Sequence, residues 1–399
     1  MRQRPPGDGS CFGRLARSVS LNTDAKLAKD MPPNFLEALS PTASSLHPRG
    51  NYAALDGLRG FAVLLVFCVH AAGNAASVFL YLSFSTFRSL SSSGDRLLFW
   101  INRSHHGVYL FFVLSGFLIG RMWWPKPVMP YRVFIWRRTL RIYPAFLVAF
   151  AASLVFSYIS GDWHLPDWPR VIGNLLFLNG LPGVRVEPFN SVTWSLFYEM
   201  VFYLAFPLLV ICLQRFSPAQ VRLLPLLGIG LPAIAVSAGA DSLHLCWSLL
   251  FCGVAAALYE APLRVCTNRI PTSLVVLAYL AVTTVGVFDV LPATPVVLAF
   301  GAVAVLVLGK CIANDSNAVS AMLKLRPIVA LGRVSYSFYL MHFMIVVLVA
   351  LALGQERDQL GPVTGTVLLF TVGFALSVIA ATIVWWLAER PYFVWTRRL

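Results

Sequence analysis

The sequence predicts an all-α protein that crosses a membrane many times. Hydrophobic residues make up 58% of its 399 residues and charged residues only 12%, whereas a soluble domain carries roughly 25% charged residues. The apolar residues also gather in about ten segments, each near the ~20 residues that a helix needs to cross the hydrocarbon core of a bilayer. Composition and segment length together therefore indicate a polytopic membrane fold with about ten transmembrane helices.

The predicted spans have soft edges. In chain order they are 60–82, 107–124, 143–160, 192–213, 220–238, 242–260, 270–289, 293–312, 331–353 and 363–387. The stretch 171–184 is too short and too often broken by glycine and proline, so we expect a re-entrant or interfacial piece whose backbone is covered by protein. Residues 1–50 are expected to form a basic, disordered cytoplasmic tail, 51–395 the membrane domain, and 396–399 a short basic end.

The basic residues indicate the orientation of the chain. The formal net charge is +14, which in a soluble protein would suggest nucleic acid as a partner. Here lysine and arginine concentrate in alternate loops, so the charge is interpreted as topology, with both termini in the cytoplasm and no nucleic-acid partner. The seven cysteines lack paired metal-ligand spacing, so they are expected to be small packing residues, without a metal.

The first polar feature joins Arg59 and His70 in one apolar helix. Eleven helical residues rise about 16 Å and turn through roughly three circles, so both side chains point the same way. Arg59 would lie near a water interface and His70 near mid-depth, where an ionisable residue is costly and suggests function. A neutral imidazole can act as a general base. The alternative is a histidine that only forms a hydrogen bond to a neighbouring helix.

The second feature is a cluster of three arginines, Arg137, Arg138 and Arg141, where a span leaves the predicted cytoplasmic side. Guanidinium groups pair well with phosphate oxygens, so the cluster could hold a phosphate-bearing ligand. The alternative is anchoring of the span by positive charge.

Two further features place ionisable groups inside spans. Glu199 lies about two turns beyond the capping residues at Asn190 to Thr193; it could orient His70, pair with an arginine, or tie helices together. His342 lies nine residues beyond Arg333, with Tyr336 on the same segment. A second acid or base role and a packed, hydrogen-bonded histidine are both open.

Two other patterns predict local structure. Gly116 and Gly120 are four residues apart in a span, which is typical of a close-packing helix face. His105 and His106 are expected in an outer loop, in contact with water.

Six stretches, taken in order, resemble the bacterial integral-membrane acyltransferases called acyltransferase family 3. They are Leu55–Gly60 followed by His70, Phe111–Phe117, Arg137–Pro144, Trp194–Glu199, Ser335–His342 and Glu389–Pro391. The resemblance implies about ten spans and transfer of an acyl group, usually acetyl from acetyl-CoA, to a hydroxyl of a carbohydrate or another small acceptor. It also implies that Arg59 and His70 are needed for activity.

Residues and resemblance together predict an O-acyltransferase of the plasma membrane, with acyl-CoA as donor substrate, no permanently bound cofactor, and membrane lipid around it. The predicted catalytic residues are His70, Arg59 and Glu199, the acyl-CoA contacts Arg137, Arg138 and Arg141, and the secondary candidates His342, Arg333 and Tyr336. A sugar or lipid transporter without acyl transfer also accounts for polar groups at mid-depth, and a non-catalytic scaffold is the third alternative. Nothing in the sequence selects the acceptor.

Overall fold

The structure is a computed structural model that describes residues 49–80, 92–123, 129–161, 167–213, 221, 223–313 and 317–396. The predicted tail, apart from its last two residues, and residues 397–399 lie outside this range, as do parts of several loops. Within it, the regular structure is helical and contains no strand. This agrees with the predicted all-α class.

Sixteen helices follow one another along the described chain. They are α1 (Arg49–Phe79), α2 (Ser93–Arg103), α3 (His106–Trp123), α4 (Tyr131–Ile159), α5 (Trp168–Leu175), α6 (Trp194–Leu213), α7 (Leu224–Ser237), α8 (Leu245–Leu258), α9 (Glu260–Arg269), α10 (Thr272–Val287), α11 (Ala293–Ile312), α12 (Ala318–Leu323), α13 (Arg326–Arg333), α14 (Ser335–Gln355), α15 (Arg357–Val384) and α16 (Arg390–Thr396). Short 3₁₀ turns at Leu178–Gly180, Ser191–Thr193 and Ser242–His244, and a π-helical turn at Trp385–Glu389, connect some of them.

Within the described ranges, seven helical segments are long and apolar enough to cross a membrane, as in a multi-pass membrane protein. They are Ala53–Phe79, Ser93–Trp123, Tyr131–Ile159, Ser191–Leu213, Ala293–Ile312, Ser335–Gln355 and Arg357–Val394. Ser242–Leu258 and Glu260–Arg269, which meet at 92°, would make an eighth. Two predicted spans form shorter apolar helices, α7 and α10. Sixteen residues, the length of α10, rise only about 24 Å, so ten full spans stay a prediction.

Helix α1 lies at the centre of the bundle and packs against α2, α3 and α11 to α15. Its first turns touch other backbones directly. A Cβ atom on Gly57 would lie 1.8 Å from the carbonyl oxygen of Leu323, one on Gly60 2.1 Å from that of Ile328, and one on Gly332 1.8 Å from that of Asp56. The glycines on both sides of Arg59 therefore allow α12 and α13 to pack closely against α1. These contacts hold Arg59 at a fixed position relative to α12 and α13.

The predicted close-packing face of α3 is confirmed. A Cβ atom on Gly116 would lie 1.9 Å from the carbonyl oxygen of Leu250, and one on Gly253 2.0 Å from that of Val113. Gly120 meets Val254 on the same neighbour, α8. Small residues here bring α3 and α8 together at backbone distance, as they do in membrane helix pairs.

The segment predicted to be re-entrant or interfacial, 171–184, contains the second half of α5 and the turn after it, and it is partly covered by protein, although Ile172, Leu176 and Val184 are exposed. Asn174 is buried; its amide donates to the carbonyl oxygens of Arg170 and Glu187, at 2.9 Å each, and accepts from the Phe189 N–H. Phe177 adopts a left-handed conformation with φ of 58°, and its ring packs on Phe146 of α4 at 4.5 Å between centroids.

The structure tests two further predictions, one about the cysteines and one about His106. The described cysteines are free thiols, and Cys246, Cys252 and Cys311 are buried, as packing residues should be.

The expectation that His106 lies in water is wrong. It is 5% exposed and stacks on Phe300 with 4.6 Å between ring centroids, because it begins α3 inside the bundle rather than ending in a loop.

Candidate active site

A cavity lined by three arginines lies among α1, α3, α4, α6 and α14. Arg59 comes from α1 and Arg138 and Arg141 from α4, three residues apart and so on one helix face. The cavity, called the arginine cavity below, has about 900 Å³ of empty space, including the part that opens to the outside. Most of the exposed lining surface is apolar, although seven further lining residues carry polar groups: Ser115, Ser195, Glu199, Tyr203, Ser335, Tyr336 and Tyr339.

The cations in this cavity are not all neutralised by neighbouring carboxylates. Arg59 approaches Asp56, one turn earlier, at 3.4 Å. In the described chain, neither Arg138 nor Arg141 has a carboxylate oxygen within 4 Å. The Arg138 guanidinium lies 4.9 Å from the Tyr203 ring centroid instead, and that of Arg141 lies 5.6 Å from the Phe393 ring centroid. Grouped cations in a largely apolar cavity attract an anion.

Glu199 belongs to the arginine cavity and not to the surroundings of His70. Its carboxylate accepts hydrogen bonds from the Ser115 hydroxyl, at 2.9 Å, and from the Tyr203 hydroxyl one turn along α6. Ser115 lies on α3, so this contact ties α3 to α6 along the wall of the cavity. Of the three roles that the sequence left open for Glu199, these contacts fit the tying of helices.

His70 lines a second cavity, with about 930 Å³ of empty space, called the histidine cavity below. Its other polar and aromatic lining residues are His105, Tyr109, Trp194, Ser242, Cys246 and Tyr339. The arginine and histidine cavities have two lining residues in common, Val108 and Tyr339. Arg59 and His70 therefore line neighbouring spaces that meet at a partition made by these two side chains, called the partition below.

His342 lies beside His70, with 5.2 Å between the ring centroids. It is fully buried, and its Nδ1 lies 2.8 Å from the Tyr339 carbonyl oxygen and 3.1 Å from that of Phe338. A ring nitrogen that faces two carbonyl oxygens carries the hydrogen, so Nε2 holds the lone pair. Among the described residues Nε2 has no hydrogen-bond partner. His342 therefore offers an acceptor next to the imidazole of His70.

Tyr339 is held firmly in the partition. Its hydroxyl donates to the Val192 carbonyl oxygen at 2.6 Å and lies 2.7 Å from the Ser195 hydroxyl. The Asn190 amide donates to the Leu340 carbonyl oxygen at 2.8 Å, which joins the same turn to α14. The Asn190 side chain also accepts from the Val192 N–H, so it caps this turn as the sequence predicted.

The remaining predicted residues divide by position. Tyr336 lines the arginine cavity and donates to the Ile142 carbonyl oxygen at 3.0 Å. Arg137 is half-buried on α4 and Arg333 is exposed at the end of α13, and neither lines the two cavities. The structure thus gathers Arg59, Arg138 and Arg141 in one space and sets His70 and His342 together across the partition.

Comparison with known proteins gives the chain its family. The acyltransferase domain model of acyltransferase family 3 matches residues 52–386, which include both cavities. The chain belongs to acyltransferase family 3. It is accordingly a membrane acyltransferase, and no solved structure matches it.

Relatives of this family 3 acyltransferase differ in length and in name. Acyltransferase MdmB of Streptomyces mycarofaciens is 29% identical over 320 residues, 73% of this chain and 78% of its own. The putative peptidoglycan O-acetyltransferase YrhL of Bacillus subtilis is 26% identical over 334 residues, 74% of this chain and 48% of its own. The O-acetyltransferase OatA of Staphylococcus aureus is 27% identical over 186 residues, 42% of this chain and 26% of its own.

Glu389 supports the helix that carries several site residues, and reasoning from the sequence named it in a motif without giving it a role. It is 2% exposed, and its carboxylate accepts from the Ser337 N–H, at 3.1 Å, and from the Ser337 hydroxyl. Ser337 lies in the first turn of α14, where free N–H groups favour an anion. Glu389 thus fixes the start of the helix that carries Tyr336, Tyr339 and His342. A carboxylate directly after an apolar span was the available signal.

Proposed function

We propose that this membrane acyltransferase moves an acetyl group from acetyl-CoA to a hydroxyl of a carbohydrate or a similar acceptor. The observation that carries the proposal is the partition, at which a space with three arginines meets a space with a half-buried histidine. A phosphate-bearing donor and a hydroxyl acceptor could approach from opposite sides and react where the two spaces meet.

The donor phosphates would bind in the arginine cavity. Arg138 and Arg141 have no carboxylate within ion-pair distance in the described chain, so their guanidinium groups can pair with phosphate oxygens. Arg59, which lines the same cavity, would bind phosphate or stabilise charge that develops on the thioester oxygen. Arg137 lies outside the cavity, so any contribution it makes would be at the outer end of the donor.

The acceptor would bind in the histidine cavity, with its hydroxyl at His70. As the acceptor oxygen forms a bond to the thioester carbonyl carbon, its proton passes to the His70 imidazole. The carbon–sulfur bond then breaks, and the CoA thiolate takes that proton back, so the products are the O-acyl acceptor and CoA. No acyl-enzyme intermediate is needed. His342 would act as a positioning residue that packs beside the His70 ring, with 5.2 Å between the ring centroids.

Topology and relatives support the wider assignment. The distribution of lysine and arginine predicts that the arginine cavity opens to the cytosol, where acetyl-CoA is made, and that the bundle lies in the plasma membrane. Two of the relatives are named O-acetyltransferases, and one of these names includes peptidoglycan. These names support acetyl as the group and a cell-envelope carbohydrate as the acceptor.

The test uses the purified full-length protein in nanodiscs with radiolabelled acetyl-CoA. The acceptors are water, methyl glycosides and peptidoglycan fragments, and both CoA release and label on the acceptor are measured. We expect CoA release that depends on protein and is lost in His70→Ala. Movement of sugar or lipid across the membrane of sealed proteoliposomes, without CoA release, would favour a transporter. The absence of both activities would leave a scaffold and contradict the proposal.

A further inference from the structure

The partition between the two cavities consists of two side chains, Val108 and Tyr339, and both sides are firmly held. On one side, a Cβ atom on Gly107 would lie 2.5 Å from the Ala62 carbonyl oxygen, so the α3 backbone beside Val108 is pressed against α1. On the other, the Tyr339 hydroxyl is bonded to Val192 and Ser195, and Tyr339 is 7% exposed. Neither Val108 nor Tyr339 can move far, because movement would disturb the packing of α3 on α1 or break the hydrogen bonds of the Tyr339 hydroxyl.

We propose that Val108 and Tyr339 select the acyl group of the donor by its width. The inference rests on the proposed function, in which donor phosphates lie in the arginine cavity and His70 in the histidine cavity. The thioester carbonyl must then come to the partition, and the carbon chain attached to it must fit between the Val108 methyl groups and the Tyr339 ring. An acetyl group adds one methyl beyond the carbonyl carbon, whereas a branched isobutyryl group adds a second and a third carbon at that place.

The chemistry of the step is the same for each donor. The acceptor oxygen bonds to the carbonyl carbon, the carbon–sulfur bond breaks, and the proton travels from the hydroxyl through His70 to the CoA thiolate. Only the fit of the acyl chain differs. In an apolar pocket one methylene changes kcat/KM by about 10- to 200-fold, so the partition can account for a preference for acetyl without any polar contact to the acyl chain.

The experiment compares acetyl-, propionyl- and isobutyryl-CoA in the wild type and three variants. Val108→Ala removes two methyl groups from the partition. Val113→Ala, five residues along the same helix, removes the same volume from a buried site that lines neither cavity. Val297→Ala enlarges only the histidine cavity. The readout is the ratio of kcat/KM for isobutyryl-CoA to that for acetyl-CoA, measured as CoA release with water or methyl glycosides as acceptor.

We expect Val108→Ala to raise this ratio about tenfold or more, and Val113→Ala to leave it within twofold. If Val108→Ala leaves the ratio unchanged, the inference is overturned. It is also overturned if Val297→Ala raises the ratio as much as Val108→Ala does, because the selection would then lie in the histidine cavity. Because each value is a ratio within one protein preparation, partial loss of folded protein cancels. If the wild type releases no CoA from any donor, the proposed function fails, and this inference fails with it.

Discussion

The imidazole rings of His70 on α1 and His342 on α14 lie 5.2 Å apart between centroids. The Nδ1 atom of His342 is committed to the Tyr339 and Phe338 carbonyl oxygens, so only its Nε2 is left for the neighbouring histidine. The proposed function gives the two histidines different roles. His70 faces the histidine cavity and would take the proton of the acceptor, whereas His342 would hold the His70 ring in one orientation.

The first prediction concerns this pair. His70→Gln is expected to lower kcat for acetyl transfer by about 10²- to 10⁴-fold, because it removes the general base. His342→Gln is expected to lower kcat by a smaller factor with an unchanged KM for acetyl-CoA, because it loosens the base without touching the donor. Steady-state CoA release measures both. His342→Phe tests packing alone, since it fills the buried site and removes the acceptor; full activity in that variant would contradict the positioning role.

The second prediction separates the arginine cavity from anchoring by positive charge. Arg138→Ala is expected to raise the KM for acetyl-CoA about tenfold or more, since a charge-assisted hydrogen bond contributes roughly 1.5–3 kcal/mol. Arg137→Ala is the matched control on the adjacent position of α4, which removes the same charge from outside the cavity. It is expected to raise the KM much less. If both variants raise the KM by the same factor at the same ionic strength, the arginines serve only to anchor α4 by positive charge.

The sequence predicted the helical class, the close packing at Gly116 and Gly120, and the resemblance to the family. These features depend on composition and local spacing, both of which can be obtained directly from the sequence. It also suggested that Arg59 and His70 share a direction, and both line cavities that meet at the partition. Local periodicity was sufficient for this, because both residues lie on the one continuous helix α1.

What the sequence could not predict depends on contacts between distant helices. The sequence left three roles open for Glu199, and its contacts with Ser115 and Tyr203 fit only the tying of helices, because the rotation of α6 against α3 decides which way a carboxylate points. The pairing of His342 with His70, and that of Glu389 with Ser337, join residues more than fifty positions apart. No periodicity within one segment encodes such distances.

The third prediction tests the backbone contacts between α1 and α13 that hold Arg59 in position. Gly60→Ala is expected to lower thermal stability strongly, because a Cβ atom would lie 2.1 Å from the Ile328 carbonyl oxygen, which belongs to rigid backbone. Gly230→Ala on α7 is the control, because nothing lies within 4 Å of its Cβ position. It is expected to be neutral or to stabilise by up to about 1 kcal/mol. Thermal unfolding in detergent measures both, and equal melting temperatures would contradict the close approach of α1 and α13.

The fourth prediction concerns Glu389, which holds the start of α14. Glu389→Ala leaves the Ser337 N–H and hydroxyl without their acceptor in a buried site, which costs roughly 1–3 kcal/mol for each unsatisfied group. Glu356→Ala removes a carboxylate from an exposed position between α14 and α15 and is expected to change stability by less than about 0.5 kcal/mol.

Activity separates a stabilising role of Glu389 from a positioning one. Glu389→Gln keeps an acceptor oxygen for Ser337 but loses the negative charge at the helix start, so it should recover much of the stability. If Glu389 also fixes the register of α14, the Gln variant should restore kcat together with stability, because Tyr339 and His342 lie on that helix. A variant with wild-type melting temperature and lost activity would instead show that the charge of Glu389 is needed for activity beyond its part in holding the start of α14.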